Sequence, residues 1–175
     1  MSPWAILILV LAAEPTQAWP GFLGANASPL NAEAVPSTWS PTEHVAWKAK
    51  VPGKGQSSPV IWGERVFVTS ISGKMKEKCH VIALSLNDGR QLWDHSQESS
   101  QQAEANYFQS QAAPTPVVDE KGIYAFFETG DMVALSHQGK VLWQRSLTKD
   151  FGDFKTTSGL AASPPNDQVG WHYLA

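Results

Sequence analysis

The residues of this chain that could do chemistry are few and scattered. They are one cysteine, Cys79; five histidines, at 44, 80, 95, 137 and 172; and three hydroxyls placed before proline, at Ser58, Thr115 and Ser163. A single cysteine forms no internal disulfide and no multi-cysteine metal centre; Cys79 reads as a small residue at a strand edge. The histidines have no zinc-type spacing, and His137 reads as a polar turn residue. No nucleophile elbow surrounds the Ser-Pro pairs. The Gly-Lys-Gly at 53–55 opens no helix that could cradle a phosphate. Asp119, Asp131 and the Asn-Asp-Gly at 87–89 read as exposed turn residues, without the convergent oxygen spacing that calcium needs. On these grounds no catalytic, cofactor-binding or metal-binding residue is expected.

The composition fits a folded chain. Of 175 residues, 42% are hydrophobic and 17% charged, and the net charge of −3 gives no reason to expect nucleic acid as a partner. The apolar run Ala5–Ala13 is too short to span a membrane, which takes roughly 20 residues. With Thr16 and Ala18 as small residues behind it, the run reads as a signal peptide over residues 1–18, cut after Ala18. Residues 19–175 then form the mature chain, with no membrane span, in the periplasm or secreted. Asn26-Ala27-Ser28 fits a glycosylation sequon.

The elements that would position any site come in repeats. "SPVIWGERVFVTS" from Ser58 and "TPVVDEKGIYAFFETG" from Thr115 share one plan, and each is followed by a further strand, "HVIALSL" and "DMVALSH". Each unit then ends in a glycine turn and Leu-Trp, "NDGRQLW" and "HQGKVLW". β-Branched and aromatic residues alternate along four short strands per unit. Trp47, Trp93 and Trp143 mark a period of about fifty residues, the signature of a β-propeller blade. The Ser/Thr-Pro pairs keep a similar rhythm. The stretch 95–111, rich in Gln and Ser, reads as a long surface loop.

These residues resemble the pyrroloquinoline-quinone-like propeller repeat family, which includes quinoprotein alcohol dehydrogenases and the non-enzymatic propeller of the outer-membrane β-barrel assembly machinery. The family's tryptophan-docking motif has Ala first, Gly seventh and Trp last. Ala83, Gly89 and Trp93 match it at full length; Ala134, Gly139 and Trp143 match a version one residue shorter, with a tighter turn. "WPGFLG" (19–24) and "VAWKAKVPGKGQSSPV" (45–60) look like the opening of secreted bacterial members. The resemblance implies that each Trp packs on the neighbouring blade against Ala and Gly backbone. It also implies that the strand around Trp47 would seal a closed ring as the outer strand of the last blade.

The expected fold is all-β, a partial propeller of four-stranded blades. The mature length holds roughly three blades, fewer than the four to eight of closed rings, so a truncated, open member is expected. The family's enzymes hold their quinone with a vicinal disulfide, which one cysteine cannot form. The expected function is therefore a non-catalytic, exported scaffold for a protein or glycan partner, with no cofactor and with self-association possible through open blade edges. The alternative is the N-terminal fragment of a quinone-dependent alcohol dehydrogenase-like enzyme.

Overall fold

The computed structural model describes residues 18–24, 38–102, 111–154 and 160–164. The signal-peptide expectation, apart from Ala18, and the sequon at 26–28 lie outside the described residues. The first sheet runs β1 (Ala18–Trp19), β2 (Val60–Trp62), β3 (Arg65–Ser72), β4 (Lys78–Ser85) and β5 (Gln91–Glu98), in that spatial order and antiparallel throughout. The second runs β6 (Val117–Val118), β7 (Ile123–Phe126), β8 (Asp131–Leu135) and β9 (Val141–Ser146), again antiparallel and in chain order. From β2 to β5 and from β6 to β9, order equal to chain order is what short connections between alternating strands produce, and it makes each set of four one blade. A short helix, α1 (Leu147–Phe151), follows β9, with the Ser146 hydroxyl accepting from the Lys149 N–H at its start.

The core lies between the two sheets. Val60, Phe67, Ile71, Cys79, Val81 and Ala83 of the first face Val118, Ile123, Ala125, Val133 and Leu135 of the second. Because side chains alternate across a strand, the remaining positions form separate clusters on the outer faces. These are Val66, Ile82 and Leu84, beneath Trp47, Ala49 and Val51, and Val117, Tyr124, Met132 and Ala134, beside Trp143. One face of each blade thus meets the opposite face of the next, as stacked repeats require.

Four expectations need correction. The first sheet has five strands, because Ala18 and Trp19 add to β2 on its inner side. The expected loop at 95–111 begins late: β5 continues through Glu98, its His95–Glu98 half pairing with Lys78–Val81. The long partner β4 imposes strand on polar residues whose own propensity is weak. Cys79 does not stand at a strand edge; it lies in β4, between β3 and β5, and is 1% exposed. Asp119 and Asp131 are buried, at 9% and 3% exposure.

Candidate functional site

The seam between the blades gathers most of the residues singled out above. After β4 the chain turns through Ser85–Arg90, with the Gly89 N–H donating to the Ser85 carbonyl at 2.9 Å. The corresponding turn after β8 is tighter by one residue: the Gly139 N–H donates to the Ser136 carbonyl at 2.8 Å. Both glycines have left-handed φ, 70° and 82°, which residues bearing a Cβ adopt only with strain. Each turn carries an indole from outside its own sheet. Trp47 lies on Gly89 and donates to the Leu86 carbonyl at 2.8 Å. Trp93 lies on Gly139 and donates to the His137 carbonyl at 3.0 Å. A Cβ at Gly89 would stand 2.3 Å from the Trp47 ring, and one at Gly139 would stand 2.8 Å from that of Trp93.

Ala83 is the pairing partner of Trp93, and Ala134 that of Trp143; both alanines are fully buried. Trp143 is half-buried beside Tyr124, ring centroids 6.5 Å apart, on the outer face of the second blade. His137 does more than polar duty in a turn. Its ring stacks on Trp62 of the first blade at 6.0 Å, and its Nε2–H donates to the Asp119 carbonyl at 2.8 Å. Nothing in the sequence marked that role, because Trp62 lies 75 positions away and meets His137 only across the seam.

The hydroxyl–proline pairs form a relay. The Ser58 N–H donates to the Thr115 hydroxyl at 3.0 Å, and the Thr115 N–H to the Ser163 hydroxyl at 3.0 Å. Each hydroxyl thus accepts from the matching residue one repeat earlier, so the pairs register blade against blade. Thr115→Val keeps the shape and removes the acceptor. Its expected effect is a loss of about 1–3 kcal/mol, the cost of stranding a partly buried N–H. Urea unfolding would measure it, and an unchanged midpoint would contradict the relay.

Deeper in the seam lies a polar knot. Lys76 Nζ approaches Glu128 Oε1 at 3.4 Å, with both side chains 4% exposed. The Ala112 N–H donates to both Glu128 oxygens, at 3.1 and 2.9 Å. Burial raises the Glu128 pKa, against the opposing pull of these donors. Asp131 accepts from the Ser100 N–H at 2.8 Å, the Ser100 hydroxyl at 2.6 Å and the Thr129 hydroxyl at 2.7 Å. The Ser99 hydroxyl donates to the Lys76 carbonyl. Cys79 sits among Thr129 and Ser99, and burial pushes its thiol up to about 12. A thiol held protonated is a poor nucleophile.

One constellation escaped the sequence reading. Ser72 on β3, His80 on β4 and Asp94 on β5 lie in line: Ser72 Oγ is 2.8 Å from His80 Nε2, and His80 Nδ1 is 3.1 Å from Asp94 Oδ1. The order matches a hydrolytic triad. The surroundings do not. The Glu77 carboxylate lies against Gly73, next to Ser72, and accepts from the Met75 N–H at 2.9 Å, so an oxyanion at Ser72 would meet negative charge rather than donors. The groove on this sheet face opens elsewhere, along Trp47, Ser57, Ile61 and Leu84. The trio is a polar clamp across three strands. Cys79 is the single cysteine of the sequence and is a free thiol, in no disulfide. Among the described residues no three His, Cys, Asp or Glu side chains converge as a metal site.

Residues 37–164, well over half of the chain, match the family described as outer membrane protein assembly factor BamB. Among solved structures, a europium-containing methanol dehydrogenase aligns at 19% identity and a TM-score of 0.34, over 50% of this chain and 14% of the dehydrogenase. The chain therefore spans about one seventh of that enzyme's length. No curated protein matches it.

Proposed function

The chain belongs to the family of outer membrane protein assembly factor BamB, and from that premise we propose that it is an exported, non-catalytic β-propeller scaffold for a protein or glycan partner. The observation that carries the reading is how the reactive side chains are used. Glu128, Lys76, Asp131 and Cys79 are buried and hydrogen-bonded to one another's neighbours within the seam, leaving them unable to reach a substrate. Ala83, Gly89, Trp93, Ala134, Gly139, Trp143 and Trp47 serve in this reading as the docking device that joins each blade to the next. The partner is met by the loops and by β5 and β9, which end their sheets and carry exposed Leu92, Val141 and Leu142. Such edges also favour association between copies. A leader ending at Ala18 delivers the chain to the periplasm or the exterior.

The test has two arms. Photo-crosslinking groups placed at Leu92 and Leu142 in exporting cells are expected to capture one discrete partner species, while a group at buried Val133 captures none. Purified protein given pyrroloquinoline quinone and Ca²⁺ is expected to show no alcohol-dependent dye reduction. Dye reduction, or indiscriminate crosslinking from all three positions, would overturn the scaffold reading.

A further inference from the structure

The inner side of the first blade holds an unlooked-for occupant. Ala18 and Trp19 pair antiparallel with Trp62 and Ile61 of β2. One residue on, the Pro20 carbonyl accepts from the Val118 N–H of β6 at 2.9 Å. The same short segment is therefore held by the innermost strands of both blades. It then reverses: the Gly24 N–H donates to the Gly21 carbonyl at 3.1 Å, Gly24 has φ of 76°, and the Trp19 ring lies 3.2 Å from where a Gly24 Cβ would stand. Pro20, Gly21 and Gly24 are buried, whereas Phe22 and Leu23 at the turn's tip are 55% and 50% exposed.

We propose that the inner edges of β2 and β6 form an acceptor site for an extended peptide segment without charged side chains, and that this chain's own segment, residues 18–24 before cleavage of the leader and 19–24 after it, fills the site in cis. The contacts made to the acceptor strands are backbone hydrogen bonds, the means by which a sheet edge takes up an added strand. The segment carries no charged side chain, so the site selects for extended shape and an aromatic that folds back on its own turn. Proline suits the place, since it has no N–H to offer a further strand. Cleavage after Ala18 would leave the Trp19–Ile61 pairing and the Pro20–Val118 bond in place. The acceptor site stands or falls independently of any external partner of the scaffold.

Gly24→Val in the full chain tests it, because the substitution strains the turn and displaces the Trp19 ring without touching β2 or β6. The probe is a fluorescent synthetic peptide with the sequence of residues 18–24. It is expected to bind the variant at least about tenfold more tightly than the unsubstituted chain, whose site is filled. The Val118 amide is expected to exchange at least about tenfold faster in the variant and to regain protection when the peptide is added. Trp19→Ala, which empties the turn without adding atoms, should behave alike and serves if the valine variant does not fold. Absence of peptide binding to a folded variant, equal binding to variant and unsubstituted chain, or an unchanged Val118 exchange rate would each overturn the inference.

Discussion

Gly139→Val is expected to destabilise the protein by about 2–4 kcal/mol, somewhat below the cost of truncating a fully buried aromatic, because Trp93 is half-buried. Two physical causes combine. The backbone at Gly139 has φ of 82°, a conformation that costs a β-branched residue on the order of 1–3 kcal/mol. The new Cβ would also stand 2.8 Å from Cδ2 of Trp93, so the indole must leave the turn and surrender its bond to the His137 carbonyl. Phe67, whose ring lies 5.8 Å from that of Trp93, would lose its neighbour across the seam. Against a typical total stability of 5–15 kcal/mol, such a loss is large. Urea unfolding of G139V, W93A and the double variant gives the coupling. If the indole and the turn act as one device, the double variant falls well short of the sum of the singles. Additive losses would mean that Trp93 and Gly139 contribute separately.

Lys76→Met is expected to cost about 3–5 kcal/mol at neutral pH, because it leaves the Glu128 carboxylate buried without its counter-charge. The penalty should depend on pH in a definite direction. Burial already raises the Glu128 pKa in the folded protein. A carboxyl whose folded pKa lies above its unfolded value binds protons more tightly when folded, so stability falls as pH rises through the interval between the two values. Removing Lys76 takes away an influence that lowers the pKa, which widens that interval upward. The variant should therefore recover stability on acidification through the raised pKa, where Glu128 takes up its proton, and recover more than the unsubstituted protein does. Denaturant midpoints on both sides of that interval test this, and a K76M deficit that stays constant with pH would show that the Lys76–Glu128 pair is not its source. Methionine keeps a long unbranched stem at Lys76, whose φ is 59°, so backbone strain is matched between the two proteins.

The repeat was open to reading along the chain because each blade builds itself locally. Alternating apolar residues, turn glycines and a tryptophan near a fifty-residue interval name the strands and their order, and antiparallel neighbours joined by tight turns need no long-range information. The glycine–tryptophan motif was equally open, since its members recur four positions apart, Gly89 with Trp93 and Gly139 with Trp143; which indole each turn receives was not, because Trp47 meets Gly89 and Trp93 meets Gly139 only across the chain. Polarity misled where burial depends on a second blade. Asp119 and Asp131 stand among turn residues in the sequence, yet Asp131 closes onto Ser100, just beyond the end of β5. The same holds for Glu128 against Lys76, 52 positions apart.

What the sequence determined by itself was therefore the blade: four strands, their faces, the glycine turns and the family to which they belong. What only the tertiary structure decided was which charged groups are buried, that Cys79 is a shielded thiol, that the hydroxyl–proline pairs register one blade on the next, and that residues 18–24 lie along the inner strands. The division has a physical cause. Strand and turn preferences act between residues near in the chain, whereas desolvation and the partners that offset it are set by groups that meet only when two sheets close on each other.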